Sequence, residues 1–165
     1  MADQLRVFTF KDGLLARLAH DLRLHVERFT VEREGSRVRV EVDPGSLVVD
    51  GVMVGERCDA SVLGPSDRAK IADTIRTTIL ATSVHRTIEF HGEAVEREHG
   101  GLRVQGELLL AGVKRPLSFT ANRSGARLRA TIVLRPSEYG ISPYKALAGA
   151  IRLQDRVVIE CDIEG

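Results

Sequence analysis

A mainly β fold, an eight-stranded antiparallel barrel carrying one amphipathic helix, is predicted from three observations. Apolar residues recur with a period of two along most of the chain, which places them on one face of a strand. Turn-forming residues separate these runs, so consecutive strands pair antiparallel. One stretch alone switches to helical spacing. The 165 residues suit a single domain, 1–165. Many short half-apolar strands build either a two-sheet sandwich or a closed barrel, and the barrel is the reading adopted.

The elements follow in chain order. Val7 to Phe10 opens the strands, and Gly13 to Ala19 reads as a short turn of helix. Leu22, Leu24 and Val26 alternate with Arg23, His25 and Glu27; Val38, Val40 and Val42 alternate with Arg37, Arg39 and Glu41. The segment Ser66 to Leu80 places Ile71, Ala72, Ile75 and Ile79 at helical spacing, with Ser66 as N-cap and Asp67 in the first turn. Strands resume at Ile88, Phe90 and Ala94, then at Leu102, Val104, Leu108 and Leu110, and at Leu117, Phe119 and Ala121. Leu128, Ala130, Ile132 and Leu134 form the next row, and Val157, Ile159, Cys161 and Ile163 the last. Pro143 to Ala150 is a weaker helical or coiled stretch between those two. Hairpin turns fall at Glu34-Gly35-Ser36, His99-Gly100-Gly101 and Ser124-Gly125.

Composition excludes several classes of function. With 24 Lys and Arg against 23 Asp and Glu, no global charge favours nucleic acid or an anionic membrane. Two cysteines, Cys58 and Cys161, are too few for a disulfide-stapled fold or a four-cysteine zinc site. The start, MADQLRVFTFKDG, lacks the apolar run of a secretory signal, which points to the cytoplasm. No apolar stretch approaches the roughly 18 residues of an integral membrane helix.

The segment LLLAGVKRPLSF (Leu108 to Phe119) resembles the "L-x-I-x-G-V-x-K-P" strand-turn-strand of the YceI-like family. HRTIEFHGEAV (His85 to Val95) is similar to its "P-x-I-x-F-x-S" strand, with His85-Arg86 where an aromatic residue and proline usually stand. LRPSEYGIS (Leu134 to Ser142), the closing LQDRVVIECDIEG (Leu153 to Gly165) and AHDLRL (Ala19 to Leu24) resemble further family segments in the same order. The resemblance spans nearly the whole chain. It implies a lipocalin-like barrel that binds an apolar, isoprenoid-like lipid without catalysis, and it admits a homodimer.

An eight-stranded barrel is just wide enough to be filled by its own side chains or to hold one small ligand. Parity alone leaves both interiors open, and a filled barrel would be a structural or protein-interaction module; the resemblance favours the hollow one. The inward positions are then the candidate ligand-binding wall: Leu22, Leu24, Val26, Val38, Val40, Phe90, Leu108, Leu110, Leu117, Phe119, Leu128 and Ile132. Large rings are few, namely Phe8 or Phe10, Phe90 and Phe119, and Trp is absent. An apolar chain inside would gain about 25 cal/mol per Å² removed from water.

Other chemistry is weakly signalled. Six basic residues, Lys114, Arg115, Arg123, Arg127, Arg129 and Arg135, occur from Leu108 to Ser137 without a carboxylate. They suit a phosphate headgroup, or cross-strand ion pairs with Glu160, Asp162 and Glu164. His25 and His91 have outward parity on different strands, so no metal site is expected. No G-x-S-x-G elbow, phosphate loop or dinucleotide fingerprint is present, so neither an enzyme nor a cofactor is expected. The helix from Ser66 reads as a cover, or as a lid over one mouth.

Overall fold

A computed structural model describes residues 1–12, 19–146, 149 and 151–165. The twelve strands are β1 (Gln4–Asp12), β2 (Leu22–Val26), β3 (Phe29–Glu34), β4 (Arg37–Val42), β5 (Leu47–Val54), β6 (Arg57–Asp59), β7 (Ile88–Glu96), β8 (Leu102–Leu110), β9 (Val113–Ser124), β10 (Arg127–Leu134), β11 (Lys145–Ala146) and β12 (Ile151–Glu164). They form one curled antiparallel sheet in the order β3-β4-β7-β8-β9-β10-β12-β1-β2-β5-β6, with β11 on β12. The count of eight is therefore corrected to twelve among the described residues. Four strands escaped the alternation test: β3 ends in Glu32-Arg33-Glu34, β5 is almost continuously apolar, and β6 and β11 are three and two residues long.

Of the two weakly helical stretches, residues 13–18 lie outside the described residues, as do 147, 148 and 150. What is described of the second includes the strand β11, not a helix.

Among the described residues one α-helix, α1, covers Pro65–Thr74 and continues through a π-helical turn, Ile75–Ile79. Gly64 rather than Ser66 is its N-cap, and Pro65 occupies the first turn. Proline is pre-set in φ and lacks an N–H that would go unpaired there, which moves the cap and the start two residues earlier. The helix buries Ala72 and packs Ile71 and Ile75 against a cluster of Leu22, Leu24, Val26, Val42, Leu47, Val49 and Val52. Arg76 fastens its end by donating to the Leu47 carbonyl.

Two hairpin strands meet unusually closely. Gly92 on β7 faces Gly106 on β8. A Cβ at Gly106 would fall on the His91 carbonyl, and one at Gly92 would lie 2.8 Å from the Phe90 ring. Glycine at both positions lets that ring lie over the sheet, tilted 52° to Phe119 with centroids 5.6 Å apart.

The first strand is held by Arg127 of β10. Its guanidinium donates to the Met1 and Ala2 carbonyls, to Asp3, and to both the carboxylate and the carbonyl of Asp162. Arg127, followed by Arg129, holds the Asp162 carboxyl below its ordinary range. The Ser137 hydroxyl and N–H do the same for Asp155. A carboxyl depressed in the folded state contributes stability above the unfolded value of about 4, lost as pH falls through the folded value. Urea unfolding is therefore expected to give a constant stability from pH 7 to about pH 5 and a steep loss below about pH 4. In Arg127→Met the acid loss should be shallower; an unchanged pH profile would remove Asp162 from this account.

Candidate functional site

Inside the curled sheet lies a cavity of about 450 Å³. That volume is within the range of about 300–1,000 Å³ typical of small-molecule sites. Its position follows from where the inward rows carry small side chains. One register row crosses the wall as Leu102, Ala121, Ala130, Cys161 and Leu5, with three small residues in succession. Past the next inward row, Ala94, Val104 and Phe119, run Gly92, Gly106 and Leu117. Longer aliphatic residues in these rows would meet at the centre.

Eleven of the residues expected on the wall, Leu24, Val26, Val38, Val40, Phe90, Leu108, Leu110, Leu117, Phe119, Leu128 and Ile132, line this cavity. Leu22 does not; it is 6% exposed and packs in the cluster beneath α1. The expected ring from β1 is also absent: that strand turns Leu5, Val7 and Thr9 inward, while Phe10 carries Arg156 over its face at 4.1 Å. The alternation of Phe8 and Phe10 is genuine but belongs to the other face.

Sequence reasoning missed other parts of the wall. Ile75, Ile79 and Leu80 reach it from the π-helical turn and its end, and Pro136, Ile141, Pro143 and Tyr144 from the irregular chain after β10. Helical periodicity marked the isoleucines as apolar without showing what they cover. Among the described residues, charged side chains on the wall are confined to Asp3, Arg33 and Glu164.

The wall has a seam. β10 pairs with β12 along all of Arg127–Leu134, yet with β9 only where Ala121, Asn122, Arg123 and Ser124 face Ala130, Arg129, Leu128 and Arg127. Beyond Ala121 the two strands have no ladder among the described residues. A second cavity of about 480 Å³ lies over this gap, and Leu117, Phe119 and Ile132 line both spaces.

The basic zone is largely neutralised on the surface. Arg127 and Arg129 reach Asp162 at 2.8 and 2.9 Å, Arg123 reaches Glu96 at 3.7 Å, and Arg135 reaches Asp155 at 3.9 Å. The cross-strand reading accounts for these, with Asp162 serving both central arginines. His25 Nδ1 meets Asp50 at 2.5 Å beside Arg23, and His91 meets Glu89 at 3.3 Å. Among the described residues, no three His, Cys, Asp or Glu side chains converge as metal ligands. No helix among them is long and apolar enough to cross a membrane.

Cys161 places a thiol on the wall. Burial first, then the nearby Asp3 and Asp162 charges, push its thiol from 9.0 up to about 11. Only the thiolate is nucleophilic, so about a hundredfold less is present near neutrality than for an unshifted thiol. N-ethylmaleimide at pH 8 is expected to label Cys161 on the order of a hundredfold more slowly in the native protein than in urea. Equal rates would show the wall to be open to water.

The YceI-like domain profile matches residues 10–165. The chain belongs to the YceI-like family. Solved structures agree with this at the level of fold. Burkholderia cenocepacia BcnA superposes with a TM-score of 0.67 at 12% identity, covering 97% of this chain and 94% of that one. A polyisoprenoid binding domain from Saccharophagus degradans, implicated in plant cell wall breakdown, gives 0.60 at 10% identity over 97% and 91%. A Campylobacter jejuni YceI protein gives 0.54 at 9% identity over 86% and 85%. Comparison with curated proteins returns no significant match. At such identities the wall side chains of this YceI-like protein are its own, and the fold is what is shared.

Proposed function

We propose that this YceI-like protein is a non-enzymatic binding protein that carries an apolar, isoprenoid-like chain in its central cavity. The observation that carries this reading is the cavity inside the curled sheet, walled by aliphatic side chains from β1, β2, β4, β7 to β10 and β12. Burial of the guest's apolar surface, at about 25 cal/mol per Å², supplies the affinity. The isoprenoid-binding name of the Saccharophagus domain supports the ligand class. The eleven wall residues named above are the contacts proposed.

Functionally the sheet acts as a lipocalin-like tube. β2 runs into β3 across Glu27-Arg28, and β4 into β5 across the turn Pro44–Ser46. Taken as two bent strands, these pairs bring the number surrounding the cavity to eight. The seam between β9 and β10 is a lateral route by which a long chain can slide in without full unfolding.

Organic extraction of the purified protein should release an apolar compound in stoichiometric amount. Protein that emerges empty should take up α-farnesene, a C15 isoprenoid hydrocarbon, saturably at one per chain by native mass spectrometry. Failure of both overturns the reading.

A further inference from the structure

Polar groups on the cavity wall are sorted by kind. Along the inward row Asp3, Leu5, Val7, Thr9, the two polar residues are six positions apart, about 20 Å at roughly 3.3 Å per residue. They mark different ends of the space. At the Asp3 end two of the charges already have partners: Asp3 accepts from the Glu164 N–H at 2.9 Å and from Arg127 at 3.2 Å, and Arg33 reaches Glu96 at 3.4 Å.

The Thr9 end differs. Among the described residues its wall polar groups are Thr9, Ser142, Tyr144 and Gln154, none formally charged. Register brings them together: Thr9 faces Val157, Lys11 faces Leu153, and Leu153 donates to the Tyr144 carbonyl. Lys11 and Arg152 flank this end in the chain but are not part of the wall.

Thr9 is 9% exposed, and its Oγ1 has no hydrogen-bond partner among the described residues. A buried hydroxyl without a partner is costly, and valine has the same shape without that cost. Leu5 and Val7, its neighbours in the same inward row, are aliphatic. Gln154 donates its amide N–H to the Lys11 carbonyl at 3.1 Å, which leaves the amide oxygen as an acceptor.

We propose that Thr9, with Gln154, anchors a neutral oxygen at the end of the bound chain. The ligand class is then an apolar chain ending in an alcohol, a deepening that rests on the chain-binding reading above. An alcohol accepts from the Thr9 hydroxyl and donates to an amide oxygen, so it uses both groups. A phosphate is disfavoured at this end, because among the described residues no cation lines the wall there to meet its charge.

The test uses the full chain and three probes of equal length: farnesol, α-farnesene and farnesyl monophosphate. Farnesol should bind the native protein about tenfold more tightly than α-farnesene, the worth of one net hydrogen bond, and more tightly than the phosphate. Thr9→Val should remove that tenfold preference of farnesol over α-farnesene and not lower Tm. Thr9→Ser, which keeps the hydroxyl, should retain the preference. Unchanged farnesol affinity in Thr9→Val, or a preference for the phosphate, overturns the anchor. Binding of α-farnesene without any farnesol preference sinks the anchor alone, whereas no binding of either sinks the carrier reading with it.

Discussion

Ala130→Phe is expected to abolish binding of an apolar chain while leaving the protein folded. Ala130 is 8% exposed and sits between Ala121 and Cys161 in the row of small residues that opens the cavity. A ring there enters space that is already empty, so it displaces the guest rather than neighbouring side chains. Overpacking a solid core costs about 1–3 kcal/mol. At about 2–4 °C per kcal/mol for a chain of this size, a solid interior would show a Tm drop of several degrees. The hollow interior should show a Tm unchanged or raised, with α-farnesene affinity down more than tenfold. Calorimetry and native mass spectrometry on the same sample separate the two outcomes. A lower Tm with intact binding would place the guest elsewhere.

How far this wall was legible depended on the strand. Where one face is buried and the other wet, parity is set by the pleat, and Val38, Val40, Phe90, Leu108, Phe119 and Ile132 read directly as inward. Parity failed where something else decided the face. On β1 the apolar residues of both faces compete, and Phe10 is satisfied outside by Arg156. On β2 and β5 a register shift lies between Arg23 and Leu24, and α1 covers the cluster that holds Leu22. The bend from β2 to β3 shifts the alternation by one residue, from Leu22, Leu24, Val26 to Phe29, Val31. Hollowness itself left only a faint trace in the chain. It depends on Ala121, Ala130 and Cys161 falling in one inward row and Gly106 in another of the same wall, which needs the register and not the composition.

Stability and binding should also separate along the wall. Leu24 is 1% exposed, lies opposite Val7 and Val49, and belongs both to the cavity lining and to the cluster under α1. Leu24→Ala should cost about 2–5 kcal/mol in urea unfolding, because the removed atoms lose contacts on the packed side that the sheet cannot collapse to restore. Leu117 lines the same cavity from the seam, half-buried, where the ladder between β9 and β10 is missing. Leu117→Ala gives up fewer packed contacts and should cost less than about 1.5 kcal/mol, yet it removes wall that a guest would cover. Saturating α-farnesene raises apparent stability by RT ln(1 + [L]/Kd). This increment should shrink in Leu117→Ala far more than its unliganded stability does. If instead both variants lost stability equally, and neither changed the ligand increment, the seam side chains would be packing residues and the guest would lie against other parts of the wall.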